Sequence, residues 1–133
     1  MAETALAEPV EKYFDIDLGS VPIQQGWVAV QAGRVRGFVG VSVEPWNMRL
    51  SIWHFYVDHA IRRLGAGRLL MASAVAWGRE NGAKLAWIET SNLNVPGIQA
   101  YAALGFEICG FDTSLYRNTT SQDEFAVFMS RNL

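Results

Sequence analysis

The spacing of apolar positions changes period along the chain, and the changes mark its elements. Two early runs, residues 27–31 (Trp-Val-Ala-Val-Gln) and 36–43 (Arg-Gly-Phe-Val-Gly-Val-Ser-Val), are rich in β-branched and aromatic side chains and flank the turn signal Ala32-Gly33. That pattern predicts an antiparallel hairpin. Pro45-Trp46-Asn47 breaks the second run, and residues 48–57 then form a run dense enough in apolar side chains to be a central strand. Further on, Leu70, Ala74 and Trp77 stand at i, i+4 and i+7, widened by Met71 and Val75, which predicts an amphipathic helix over 68–81 with Gly82 as its stop. Residues 84–90 read as a short buried strand. Asn94 and Pro96 open a second helix that runs to Leu104 and ends at Gly105. Strands follow over 106–109 and 125–130, separated by a polar connection, and residues 1–12 read as a partly ordered lead-in with one helical turn.

Strand, glycine-rich turn, helix, strand, helix, strand is a βαβ crossover; joined to the hairpin it gives a mixed sheet and an α/β (α+β) fold. A length of 133 residues fits one domain over 1–133. Half of the residues are hydrophobic and 18% are charged, which suits a packed core and excludes disorder. With 11 basic against 13 acidic side chains, the net charge is -2, and no basic face is large enough for nucleic acid. The start of the chain has no apolar core of signal-peptide length, and no run reaches the ~18 apolar residues of a membrane span. A cytoplasmic protein with no membrane partner is expected. Cys109 is the one cysteine; it has no neighbouring metal-ligand cluster and no histidine at hydrolase spacing, and it reads as a small core residue. The five tryptophans read mostly as core, with Trp46 and Trp53 as candidates to line a pocket.

One segment points to a ligand. In Arg62-Arg63-Leu64-Gly65-Ala66-Gly67-Arg68, two glycines sit between a strand and a helix. Glycine permits positive φ and close backbone approach. The first N–H groups of a helix lack intrahelical partners and carry the positive end of its dipole. The segment is therefore a candidate phosphate or pyrophosphate cradle, with Arg62 and Arg68 adding charge-assisted contacts. It is not the P-loop, since no Lys-Ser/Thr follows Gly67, and it lacks the third glycine of the dinucleotide fingerprint, where Leu70 stands. Taken alone, a tight turn ahead of a helix explains it equally.

The loop resembles the R/Q-x-x-G-x-G/A pyrophosphate loop of the GNAT acetyltransferase superfamily. The rest of that pattern follows in order: a strand ending Phe55-Tyr56-Val57 ahead of the loop, Asn94 seven residues before Tyr101, and Tyr101-x-x-Leu104-Gly105-Phe106 for the family's Y-x-x-(L/C/M)-G-F. The likeness covers roughly residues 26–130. Ile88-Glu89-Thr90, Gly105-Phe106, the stretch Asp112-Thr113-Ser114-Leu115-Tyr116 and Ala126-Val127-Phe128 resemble streptothricin acetyltransferases in particular. Ribosomal-protein N-acetyltransferases, which share the strand glutamate and helix tyrosine, are second. Two departures stand out. The segment ahead of the hairpin is short for the family's first strand and two helices, and a second subunit completing that wall makes a homodimer the expected assembly. Trp53-His54 also replaces an acidic pair common in streptothricin acetyltransferases.

The resemblance implies acetyl-coenzyme A as cosubstrate, no metal, and a primary amine of a small molecule or protein as acceptor. The residues 55–57 and 62–68 with Asn94 and Tyr101 would hold the coenzyme, among them Phe55, Tyr56, Val57, Arg63, Leu64 and Ala66. Acetyl transfer needs an acid for the leaving thiolate and a base for the amine. A phenol with a pKa of about 10 suits the first role, which the resemblance gives to Tyr101; as a residue it reads equally as a packing aromatic. Glu89 is the only carboxylate inside an apolar strand, where burial would raise its pKa, so it is the candidate base; a strand-end glutamate paired with an arginine is the other reading. His54 is the alternative base. Trp53, His54 and Glu89 are the candidate acceptor contacts. The resemblance also implies a β-bulge in the fourth strand, and the sequence agrees, since Ile52, Phe55 and Val57 share a face only if the alternation slips. Asn94 would contact the coenzyme arm, cap the helix, or do both. A non-catalytic acyl-coenzyme A module stays open as a second function.

Overall fold

The computed structural model describes residues 2–6 and 22–133, and of Ala2–Leu6, Ala60, Arg62 and Arg63 it describes the backbone alone. Along the chain lie β1 (Ala2–Leu6), β2 (Gln25–Gln31), β3 (Arg34–Glu44), β4 (Arg49–Val57), a 3-10 turn (His59–Leu64), α1 (Ala66–Glu80), β5 (Leu85–Ser91), α2 (Val95–Ala103), β6 (Glu107–Asp112) and β7 (Ala126–Asn132). The strands form one sheet in the order β1-β2-β3-β4-β5-β7-β6. Pairs β1/β2 and β4/β5 are parallel and the rest antiparallel, so the sheet is mixed as the pattern predicts.

The hairpin closes through Ala32 and Gly33, both at positive φ (51° and 76°), the conformation that matches the twist of its strands. Helix α1 starts at Ala66, two residues before the expected position, because Gly65 takes the left-handed conformation (φ 84°) and turns the chain straight into the helix. Gly82 (φ 86°) stops it, as its place in the sequence indicates.

Several expectations fail. Residues 2–6 are not a helical turn but a strand paired with β2; the remainder of the expected lead-in, 7–12, lies outside the described residues. The 3-10 turn has no periodic signature in the sequence. Cys109 is exposed rather than core. It is the extra residue where the β6/β7 register shifts between Ile108 and Gly110, on an edge strand whose outer side has no partner strand among the described residues. Of the tryptophans only Trp27 is buried; Trp46 sits on the β3–β4 turn, 80% exposed.

Both helices cover one face of the sheet. Leu50, Ile52, Val57, Ala86, Ile88, Val127 and Met129 point into that core and meet Leu70, Met71, Ala74 and Val75 of α1 and Tyr101 of α2. Each Leu, Ile, Val or Met side chain so withdrawn from water stabilises the fold by about 1.5–3 kcal/mol. Beneath the 3-10 turn, the backbone N–H of Asp58 donates to the carbonyl of Arg36 at 2.8 Å, and their buried side chains pair at 3.9 Å. That pair ties the end of β4, and with it the approach to Gly65, to β3.

Candidate active site

The site begins with a slip in β4. Gly40 of β3 pairs with His54, but its neighbour Val41 pairs with Ile52, so Trp53 is an extra residue. The bulge turns both Trp53 and His54 to the sheet face away from α1 and α2, where the Trp53 indole N–H donates to Ser42 Oγ at 2.8 Å and His54 packs against Phe38. It thereby keeps Ile52, Phe55 and Val57 on the same face, as the sequence requires.

The same region opens the sheet. Parallel pairing of β4 with β5 ends at Ile52↔Ile88; residues 54–57 continue in register with β3, while Glu89–Ser91 pair with β7. Between the parting strands lies a groove of about 590 Å³, lined by Phe55, Tyr56 and Val57 on β4, Gly65, Gly67 and Arg68 at the start of α1, and Asn94, Pro96, Gly97, Ala100, Tyr101, Ala103 and Leu104 around α2. The backbone of Phe55, Tyr56 and Val57 thus faces the groove beyond the last β4/β5 pair. The backbone N–H of Leu69 donates to the Gly65 carbonyl (3.1 Å), so the groove wall at Gly65, Gly67 and Arg68 is the start of α1, where the N–H groups carry the positive end of the helix dipole. An added Cβ at Gly65 would meet nothing within 4 Å, which leaves the groove mouth open beside those N–H groups.

Of the expected coenzyme contacts, Phe55, Tyr56, Val57, Gly65, Gly67, Arg68, Asn94 and Tyr101 all line the groove. Leu64 and Ala66 do not: Leu64 is 45% exposed at the end of the 3-10 turn, and Ala66 is buried under the first turn of α1. The side chains of Arg62 and Arg63 lie outside the described residues. Tyr101 is buried, edge-on to Phe55 with ring centroids 5.8 Å apart, and tilted against Phe106 at 6.3 Å. Asn94 caps α2: its Oδ1 accepts from Gly97 N–H at 3.2 Å and its Nδ2 donates to Thr90 Oγ1 at 2.9 Å. One amide hydrogen and one lone pair remain for a ligand.

Glu89, Trp53 and His54 lie across the sheet from Tyr101. Strand alternation sets Glu89 on the same face as Trp87 and Phe128, which stack at 5.4 Å. The premise that Glu89 is buried is wrong: its side chain is exposed, on the sheet face away from α1 and α2 and just past the last β4/β5 pair. Its Oε2 accepts from the hydroxyl of Tyr116 at 2.9 Å. Burial, that bond, and the charges of Glu89 and Glu124 hold the Tyr116 phenol well above the usual range. His54 Nε2 is buried and has no hydrogen-bond partner among the described residues.

The sequence reading missed the small groove wall of α2, formed by Pro96, Gly97 and Ala100, and the part played by Tyr116. Asn94-x-Pro96-Gly97 carries the signal for the first. An alanine Cβ at Gly97 would fall 2.2 Å from Asn94 Nδ2, so the cap closes only over glycine. Nothing in the sequence foretells the second, since Glu89 and Tyr116 are 27 residues apart.

Among the described residues, no group of His, Cys, Asp and Glu is placed to hold a metal ion, and no helix is long and apolar enough to cross a membrane. A glycine-bearing helix start, the backbone of residues 55–57 and a groove-lining phenol match an acetyl-coenzyme A molecule in chemistry: pyrophosphate, amide-bearing arm and thioester.

The comparisons agree. The chain is 45% identical over 105 residues, 78% of its length, to a streptothricin acetyltransferase of Streptomyces lavendulae. A Bacillus anthracis protein described as a streptothricin acetyltransferase and solved with acetyl coenzyme A superposes with a TM-score of 0.75 at 31% identity, covering 86% of this chain and 65% of that one. The ribosomal-protein-S18-alanine N-acetyltransferase of Escherichia coli does so with a TM-score of 0.64 at 25% identity, covering 77% and 64%. The chain spans about half the length of the curated relatives it matches, 56% and 48% of the first two. The family model of the GNAT acetyltransferases matches residues 3–106, and the chain belongs to that family.

Proposed function

We propose that this chain is one GNAT domain that catalyses acetyl-coenzyme A-dependent acetylation of a primary amine, by direct attack while both substrates are bound. One observation carries the reading. Pairing of β4 with β5 ends at Ile52↔Ile88, and beyond that point the groove beside β4 is lined by Tyr101 while Glu89 is the next residue on β5.

Acetyl-coenzyme A, when bound, supplies the activated acyl group. The N–H groups at the start of α1 and the Arg68 guanidinium hold its pyrophosphate, and the backbone of residues 55–57 lines the path of its arm. Asn94 shapes the groove and presents its remaining amide hydrogen. Tyr101 Oη gives a proton to the leaving sulfur. Glu89 takes the proton of the attacking amine from the opposite face, where its exposure suits relay through water. His54 is the weaker base, since its Nε2 is buried beside Phe38. Trp53 lies on the face from which the acceptor enters. The cosubstrate suits a cytoplasmic site of action.

A module that binds acyl-coenzyme A without turnover is not favoured: both proton-transfer groups are kept, and the relatives are named as acetyltransferases. Incubation with acetyl-coenzyme A and a panel of primary amines tests the proposal. Free thiol should appear in step with acetylated amine, read by mass spectrometry. Binding of acetyl-coenzyme A with no thiol release for any amine would overturn it in favour of the module.

A further inference from the structure

The connection between β6 and β7 is pinned across the C-terminal end of β5 by contacts that the fold alone does not demand. Asn92 and Phe125 exchange two hydrogen bonds, backbone N–H to carbonyl at 3.0 Å and the Phe125 N–H to Asn92 Oδ1 at 2.8 Å. The Ser91 hydroxyl bonds the Glu124 carboxylate. At the start of the connection, Asp112 Oδ1 accepts both the backbone N–H and the hydroxyl of Ser114 at 2.9 Å, which lowers the Asp112 pKa and fixes the turn leading to Tyr116. Tyr116 is thus carried on a segment anchored at both ends, and its hydroxyl reaches one oxygen of Glu89.

That arrangement answers a difficulty raised by the exposure of Glu89. A solvent-exposed glutamate samples many rotamers, and ordering one costs free energy that a free side chain does not recover. From the geometry we infer that Tyr116 is a positioning residue for the acetyl transfer: its hydroxyl holds Glu89 Oε2 and leaves Oε1 directed to the incoming amine. The inference rests on the proposed role of Glu89 as base. The Tyr116 phenol stays protonated through the neutral range, so it acts as a donor throughout and competes for no proton.

A double-mutant cycle of Tyr116→Phe and Glu89→Gln tests this, with the full chain and an amine that wild type acetylates. Tyr116→Phe should lower kcat about 3- to 10-fold, the effect of one lost bond to a charged but exposed group, with the KM for acetyl-coenzyme A unchanged. In the Glu89→Gln background the same change should have almost no further effect on kcat, because a residue that acts through Glu89 has nothing left to hold. Equal effects in both backgrounds would show that Tyr116 acts independently, and would overturn the positioning role while leaving Glu89 as base. A wild-type rate in Glu89→Gln would remove the base assignment itself. Melting temperatures within a few degrees of wild type serve as the folding control, and Tyr116→Leu, which also removes ring packing, separates loss of the loop's anchoring from loss of the hydroxyl: it should fall at least as far in kcat as Tyr116→Phe.

Discussion

Replacing Gly97 with alanine should destabilise this protein even though alanine is the better helix former. The gain from propensity in a helix is about 0.8–1 kcal/mol. Against it, the new Cβ would fall 2.2 Å from Asn94 Nδ2 and 2.6 Å from its Cγ, too close to be absorbed, so the Asn94 side chain must rotate away. Rotation breaks the cap on the Gly97 N–H, worth about 1 kcal/mol and up to about 2, and the bond to Thr90 Oγ1, worth roughly another 0.5–1.5 kcal/mol. The balance is a net loss of about 0.5–2.7 kcal/mol, a fall of a few degrees or more in Tm for a chain of this size. The sign should reverse once the obstacle is removed. In an Asn94→Ala background the cap is already lost, and Gly97→Ala should stabilise by about 0.5–1 kcal/mol. Urea denaturation of the four proteins of the cycle measures this. A stabilising Gly97→Ala in both backgrounds would refute the claim that glycine is required for the cap, and with it the reason given for the shape of this groove wall.

Gly65→Glu should abolish acetyl-coenzyme A binding, because a carboxylate would compete with pyrophosphate for the first N–H groups of α1. Gly65→Asn, which tolerates the φ of 84° without adding charge, should retain most of the affinity; equal loss in both would point to backbone strain instead. Tyr101→Phe should lower kcat by roughly 10- to 100-fold with acetyl-coenzyme A affinity nearly unchanged, and an unchanged rate would make the ring a packing element only. Alkaline titration should find one phenol ionising well above pH ~10 that disappears in Tyr116→Phe. Since the folded state keeps that proton more tightly than the unfolded chain, stability should fall as pH rises past ~10, and less steeply in the variant.

The elements that position the site were legible because each carries a local signal. Ala32-Gly33 marks the hairpin, Leu70, Ala74 and Trp77 mark the face of α1, and Asn94 with Pro96 marks the start of α2. The bulge at Trp53 was visible as a failure of alternation, since Ile52 and Phe55 are both apolar and three apart. What stayed hidden depends on pairings between distant residues. Insertion of β7 between β5 and β6 follows from no local pattern, yet it sets Glu89 opposite Phe128 and brings the 113–124 connection over the end of β5. The environment of Glu89 was misjudged for a related reason. Alternation sends its side chain to the sheet face away from α1 and α2, beside Trp87 and Phe128, and β4 turns away one residue earlier, after Ile88, whereas Thr90 on the helix side stays buried. Cys109 was misplaced because its strand lies at the edge, where a short apolar run gives no face to the core.

The measurement closest to the centre of this account is a calorimetric titration of the purified protein with acetyl-coenzyme A, with ATP and inorganic phosphate as controls. The groove between β4 and β5 predicts micromolar binding, about -8 kcal/mol, that neither control matches and that Gly65→Glu removes. No heat at millimolar acetyl-coenzyme A, or equal binding by ATP, would contradict it.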